Sequence, residues 1–164
     1  MIPEEVSKNI ANIQSTTVNV NQAERKTDYS ELPVHEISML KQQKRILFID
    51  DDKSFKIVAI LKRMGWINTK IVTDLVSLDS PQLQEADVVL VDIQGVGKRM
   101  AYHDEGLGLA LAIKRRFPSK KLIIYSAQDD GTRFHEALQE ADYSLSKTAE
   151  PIRFEEVIIR VITQ

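Results

Sequence analysis

The chain has 164 residues, 43% of them hydrophobic and 28% charged, which is the composition of one globular domain with some additional chain. Its 22 basic and 24 acidic residues leave a formal net charge of −2, so no overall basic field is available to hold a nucleic-acid backbone. Because the chain has no cysteine and no apolar run near the roughly 20 residues of a membrane span, we expect a cytoplasmic protein without disulfides, thiolate zinc sites or a membrane partner.

Residues 1–43 differ in composition from the rest of the chain, being rich in Asn, Gln, Ser and Thr. Four apolar residues near the start recur at helical spacing: Ile2, Val6, Ile10 and Ile13. A helix this short is marginal on its own. We therefore predict an N-terminal extension, partly irregular with a short helix, which docks on the domain, on a second copy of the chain or on a partner.

Strands and helices alternate from residue 44 to residue 164, a pattern typical of an α/β domain with a parallel sheet. Five apolar segments are predicted as strands: 45–49, 70–73, 88–91, 122–125 and 143–146. A helix follows each of them: one capped by Ser54 and ending at Gly65, then 81–85, 106–117, 132–140, and a last helix that opens at Pro151. The sequence therefore predicts a single domain over residues 44–164.

Polar residues follow four of the five predicted strands. Asp50 and Asp51 follow the first strand, Asp92 the third, Ser126 the fourth and Lys147 the fifth. Open parallel sheets bind ligands outside the carboxyl ends of their strands, where the strand order reverses. In a 2-1-3-4-5 order the first and third strands are neighbours, so the three carboxylates would converge.

Three converging carboxylates repel one another unless a cation compensates their charge. Magnesium fits such a site best, because it is a hard cation that takes carboxylate, carbonyl and water oxygens, and neither thiolate nor paired histidine is present to favour zinc. A carboxylate beside Mg²⁺, a lysine and a hydroxyl can attack phosphorus. The pattern therefore indicates an aspartyl-phosphate site.

In this order the segments resemble the receiver domain of two-component response regulators. The resemblance covers roughly residues 44–164 and is carried by Ile-Leu-Phe-Ile-Asp-Asp-Asp, Val-Val-Leu-Val-Asp, Ile-Ile-Tyr-Ser-Ala and Leu-Ser-Lys. It implies a flavodoxin-like, doubly wound sheet of five parallel strands in the order 2-1-3-4-5, preceded here by the N-terminal extension. Since the chain ends with the last receiver helix, we expect a stand-alone receiver.

The resemblance also implies a role for each site residue. Asp92 would accept a phosphoryl group from a histidine kinase or phosphotransfer protein, and Lys147 and Ser126 would assist catalytically. Mg²⁺ would be held by Asp50, Asp51, Asp92 and the backbone carbonyl of Gln94. The protein would signal through protein–protein contacts to an unidentified downstream target, with at most self-phosphorylation from small phosphodonors and autophosphatase activity of its own.

Two features depart from the usual receiver pattern. The loop after Asp92, residues 93–105, is about six residues longer than the common form, and we expect it to be mobile and to help select the partner. The usual switch aromatic lies three residues before the lysine, where this chain has Ser144, with Tyr143 one place away. Aromatic switching is therefore expected to be altered.

Two other classes of function stay open from the sequence. The run Asp50-x-Asp52-x-Ser54 also matches the nucleophile motif of haloacid-dehalogenase-like phosphatases, which would make Asp50 the nucleophile, although the late acidic pair of those enzymes is absent after Lys147. A pseudo-receiver would keep the fold without phosphotransfer. A homodimer also stays open.

Overall fold

Five parallel strands form one sheet in the order β2-β1-β3-β4-β5 in the computed structural model, which describes residues 32–127 and 135–164. The strands are β1 (Ile46–Ile49), β2 (Thr69–Val72), β3 (Val88–Asp92), β4 (Lys121–Ser126) and β5 (Tyr143–Ser146). Every neighbouring pair of strands is parallel. The predicted flavodoxin-like fold and its strand order are therefore confirmed.

Six helices accompany the sheet within the described residues. They are α1 (Val34–Gln43), α2 (Lys56–Arg63), α3 (Pro81–Glu85), α4 (Gly106–Arg116), α5 (Glu136–Glu140) and α6 (Pro151–Thr163). In this part of the chain no helix combines the length and the hydropathy needed to cross a bilayer.

The sheet separates two hydrophobic cores, because successive side chains of a strand point to opposite faces. Residues Leu47 and Ile49 of β1 belong to a core with α3, α4 and α5, whereas Ile46 and Phe48 belong to a core with α2 and α6. All four side chains of β1 are buried, because this central strand is covered on both faces. Its continuous apolar sequence is typical of such a strand.

The predicted elements agree with the structure except at some ends. Ser54 does not cap α2; its N–H and hydroxyl both donate to Asp52 Oδ1, so it closes a turn before the helix, and Phe55 occupies the cap position without a side-chain hydrogen bond. The start of the helix predicted at 132–140 and the stripe at residues 2–13 lie outside the described residues.

Helix α1 lies within the range predicted as the N-terminal extension and packs against the core of α2 and α6 through Ile37 and Leu40. Lys41 Nζ donates to the carbonyl of Met64 at 2.7 Å and lies 3.1 Å from Glu155 Oε2. That buried carboxylate oxygen also accepts the indole N–H of Trp66 at 2.8 Å. Lys41 thus bonds α1 to the residue that follows α2 and to the buried Glu155 of α6. The domain boundary at residue 44 stays a prediction.

This arrangement predicts that Lys41→Met lowers the free energy of unfolding. Glu155 would keep only the Trp66 donor for a charge that is almost fully buried, at a cost of about 1–3 kcal/mol. Arg45→Met is the matched control, because its partner Glu85 is exposed and such pairs contribute about 0–1 kcal/mol. Urea unfolding of the full chain measures both. Equal stability of the two variants would show that the contact does not hold α1.

Candidate functional site

Two buried carboxylates share one ammonium group at the carboxyl edge of the sheet. Asp92 ends β3 and is 4% exposed, whereas Asp50 follows β1 and is inaccessible to solvent. Lys147, just after β5, brings its Nζ to 2.9 Å from Asp92 Oδ2 and 3.0 Å from Asp50 Oδ2. The register pairs Ile49 of β1 with Val91 of β3. Asp50 and Asp92 each follow directly and therefore lie side by side. The predicted convergence is therefore observed.

Asp51 completes an acidic cluster with Asp50 and Asp92. Each of the three offers a carboxylate oxygen, and these oxygens all lie within 4.8 Å of one another. Asp51 is exposed, so the cluster is open to solvent on that side. A set of hard oxygen donors at this separation fits a divalent cation such as Mg²⁺ or Ca²⁺. Among the residues described, this is the one group of acidic and histidine side chains that could hold a metal ion.

The other two predicted site residues lie next to this cluster. Ser126 ends β4, and its carbonyl accepts the backbone N–H of Lys147 at 2.8 Å, which joins the fourth and fifth strand ends. A backbone hydrogen bond from Gln94 reaches the Asp92 carboxyl. Their proposed contacts with phosphoryl and metal stay predictions.

Burial and charge shift the pKa values of the two groups that meet at Asp92. Burial raises the pKa of Asp92; the Lys147 hydrogen bond works against this and the charge of Asp50 adds to it, so that the pKa lies above its ordinary value. Burial alone would lower the pKa of Lys147, but its bonds to Asp92 and Asp50 raise it overall. The lysine therefore remains a cation that compensates the acids.

Tyr125 is a member of the site that the sequence interpretation missed. Its hydroxyl donates to Asp50 Oδ2 at 2.7 Å, and its ring stacks on Phe55 with centroids 5.4 Å apart. Burial, followed by the charge of Asp50, raises the pKa of Tyr125, so the phenol stays a donor. The signal available in the sequence was its position directly before Ser126, whereas its pairing with Asp92 across β3 and β4 comes from the structure.

Tyr143, the aromatic residue one place from the usual switch position, contacts two arginines of α6. Its hydroxyl accepts from Arg153 at 2.6 Å, and the guanidinium groups of Arg153 and Arg160 lie 5.4 and 5.6 Å from its ring centroid. These contacts attach Tyr143 to α6. The hydroxyl that reaches the acidic cluster is that of Tyr125.

The long loop 93–105 is attached to its surroundings by two carboxylates. Glu105 accepts the N–H of Gly95 at 2.6 Å and so closes the loop on itself. Asp74, in the loop after β2, accepts the backbone N–H groups of Gly97, Lys98 and Arg99 at 2.8–3.1 Å. The loop after β3 is thus bonded to the loop after β2, although β1 lies between these two strands in the sheet. The mobility expected for it stays a prediction.

A third contact of the loop involves a histidine that the sequence did not connect to it. His135 Nε2 lies 2.8 Å from Asp104 Oδ2, and its Nδ1 accepts the N–H of Ala137 at the start of α5. The pair joins the end of the long loop to α5.

No protein-family model matches the chain, and no curated protein matches it in sequence. Its structure is similar to that of NtrX from Brucella abortus, with 23% identity, a TM-score of 0.57 and 73% of this chain covered. A response regulator from Burkholderia pseudomallei, solved with a phosphorylated aspartic acid, a calcium ion and citrate, gives 20% identity, a TM-score of 0.55 and 68% coverage. This chain spans 27% and 64% of those two chains, less than two thirds of each.

A CheY-like receiver domain protein from Methanospirillum hungatei is matched over almost its full length. The match covers 98% of that chain and 74% of this one, with 20% identity and a TM-score of 0.55. At these identities the likeness establishes the fold. The chain therefore has the fold of response regulator receiver domains.

The geometry of the loop predicts that Gly95→Ala weakens divalent-metal binding. Gly95 has a φ of +88°, and a Cβ built there would overlap Asp51 Oδ2, so the Asp51 carboxylate must move. Displacing a supporting contact of a metal site typically costs about 10–100-fold in affinity. Calorimetric titration with Mg²⁺ measures this.

Gly65→Ala is the matched control for this experiment. Gly65 also has a positive φ, but an added Cβ meets only the flexible side chain of Lys41, at 3.1 Å. We expect its Mg²⁺ affinity to equal that of the wild type. Equal affinities for all three proteins would contradict a role of Asp51 in metal binding.

Proposed function

We propose that the chain is a response regulator receiver that is phosphorylated on Asp92 by a histidine kinase or a phosphotransfer protein. The observation that carries this proposal is the shared ammonium of Lys147, which lies within 3.0 Å of both Asp92 and Asp50, with Asp51 beside them. A carboxylate kept next to a lysine and an acidic metal site has the groups that phosphoryl transfer requires.

In the proposed reaction a carboxylate oxygen of Asp92 attacks phosphorus. The new P–O bond forms as the P–N bond of a phosphohistidine breaks, and the leaving imidazole keeps the electron pair. Lys147 binds a phosphoryl oxygen and the hydroxyl of Ser126 donates to another. Asp50, Asp51, Asp92 and the backbone carbonyl of Gln94 would hold Mg²⁺, which would supply positive charge to offset the negative charge gathered at the site.

The geometry favours Asp92 over Asp50 as the nucleophile. Asp50 is fully buried; its Oδ1 accepts the N–H of Asp52 at 2.9 Å, and its Oδ2 contacts both Tyr125 and Lys147. An incoming phosphoryl group would have to displace these donors. Since every site residue of the receiver pattern is present, the geometry also favours a phosphorylated receiver over a pseudo-receiver.

Two structural neighbours support this chemistry. The Burkholderia pseudomallei response regulator carries a phosphorylated aspartic acid together with a divalent cation, and the DrrB receiver domain, 20% identical with a TM-score of 0.57, is described as BeF₃-activated. By analogy, an aspartate of this chain is the modified residue. Mg²⁺ as the cation, a cytoplasmic location and signalling through protein contacts belong to the same proposal.

The proposal predicts that acetyl phosphate with Mg²⁺ labels Asp92, and that Asp92→Asn abolishes labelling because the nucleophilic oxygen is lost. Asp87→Asn is the matched control, since Asp87 lies beside the opposite end of β3, and should be labelled like the wild type. Borohydride trapping followed by mass spectrometry locates the modified residue. A label on Asp50 with repeated turnover of phosphate esters would support the phosphatase instead, and no label on any aspartate would support the pseudo-receiver.

A further inference from the structure

Tyr125 is a buried polar residue to which the proposed phosphotransfer assigns no task. It lies in β4 with no exposed surface, and its ring is fixed between Phe48, Phe55 and Phe154, with centroids 5.4–6.1 Å from its own. Ring packing alone would be served equally well by phenylalanine. The hydroxyl is the part that needs an explanation, and its partner in the structure is Asp50 Oδ2 at 2.7 Å.

Asp50 receives three donors, two of which converge on one oxygen. Its Oδ1 accepts the backbone N–H of Asp52, whereas its Oδ2 has the Tyr125 hydroxyl at 2.7 Å and Lys147 Nζ at 3.0 Å. Of these donors, Lys147 is shared with Asp92 Oδ2, at 2.9 Å. The ammonium therefore interacts with two buried carboxylates, whereas the Tyr125 hydroxyl donates to Asp50 Oδ2.

This sharing has a consequence once a phosphoryl group is attached to Asp92. Under the proposed function, on which this inference rests, Lys147 then binds a phosphoryl oxygen and its contact with Asp50 weakens. A buried charged oxygen that loses its donors carries the full cost of its desolvation. The Tyr125 hydroxyl stays on Asp50 Oδ2, because the stacked ring and the strand backbone hold it there.

We propose that Tyr125 is a positioning residue that keeps Asp50 Oδ2 hydrogen-bonded, so that Lys147 is free to bind the phosphoryl group on Asp92. Its ring contributes to the same end, since Lys147 Nζ lies 5.8 Å from the centroid of Tyr125 and 5.1 Å from that of Phe55. The two rings thus lie beside the ammonium and restrict where it can be placed relative to the two acids. Tyr125 thus acts through Asp50 and Lys147 without touching the phosphoryl group.

The experiment compares two ligands on the full chain, Mg²⁺ alone and beryllofluoride in saturating Mg²⁺. Tyr125→Phe keeps the ring and removes the hydroxyl, so Lys147 becomes the sole partner of Asp50 Oδ2. We expect Mg²⁺ affinity to fall much less than beryllofluoride affinity, because Lys147 still pairs with Asp50 Oδ2 when Mg²⁺ is bound alone. Beryllofluoride affinity should fall about tenfold or more, since Lys147 must then leave a buried carboxylate oxygen without a donor.

Tyr143→Phe is the matched control, because the hydroxyl that it removes binds Arg153 and not an acid of the site. Its affinities for both ligands should equal those of the wild type. Unchanged beryllofluoride affinity in Tyr125→Phe, or an equal loss for Mg²⁺ and beryllofluoride, would overturn the role of Tyr125. If the wild type itself fails to bind beryllofluoride, the proposed function fails, which separates the two outcomes.

A second measurement avoids changing Tyr125. The chain has four tyrosines, so a variant with Phe at Tyr29, Tyr102 and Tyr143 that is labelled with 3-fluorotyrosine gives one ¹⁹F resonance, that of Tyr125. We expect this resonance to shift when beryllofluoride is added to the Mg²⁺-loaded protein, because Asp50 Oδ2 then depends on the phenol alone. A resonance that stays in place while beryllofluoride binds would contradict the inference.

Discussion

The sharing of one ammonium by two buried carboxylates is the interaction on which the site depends. Asp50 and Asp92 lie side by side at the ends of β1 and β3, where two buried carboxylates are held together by a shared cation. Lys147 supplies that cation from the end of β5, within 3.0 Å of both. The ammonium is also the group that an incoming phosphoryl would attract, so the contact that stabilises the resting site is the one that the proposed reaction redistributes.

The fold produces this arrangement through strand register and loop closure. Side-chain alternation sends Phe48 and Leu90 into the core of α2 and α6, and Asp50 and Asp92 continue the same alternation at the strand ends. The carboxylate of the exposed Asp51 occupies the space that a side chain at position 95 would fill, and Gly95 leaves this space open. Asp74 and Glu105 accept hydrogen bonds from backbone N–H groups of the loop that provides this space, so the open side of the site is shaped by residues remote in sequence.

The residues at the strand ends could be predicted from the sequence. The contacts between segments that are distant in the sequence could not. Apolar runs followed by Asp50, Asp92 and Lys147 indicated the sheet and the acidic cluster, because parallel strands bring their carboxyl ends to one edge. The strand order came from the resemblance to receiver domains. The docking of α1 through Lys41 could not be predicted, since its partner Glu155 lies more than a hundred residues away. The role of the Tyr125 hydroxyl required the register of β3 and β4, although its place beside Ser126 was a usable signal.

A crystal structure of the full chain with Mg²⁺ and beryllofluoride tests the central claim most directly. The account predicts beryllium bonded to a carboxylate oxygen of Asp92, with Lys147 Nζ moved to about 2.7–2.9 Å from a fluorine, the distance of a charge-assisted hydrogen bond. Beryllium bonded to Asp50, or Lys147 still divided equally between Asp50 and Asp92 with the adduct present, would contradict it.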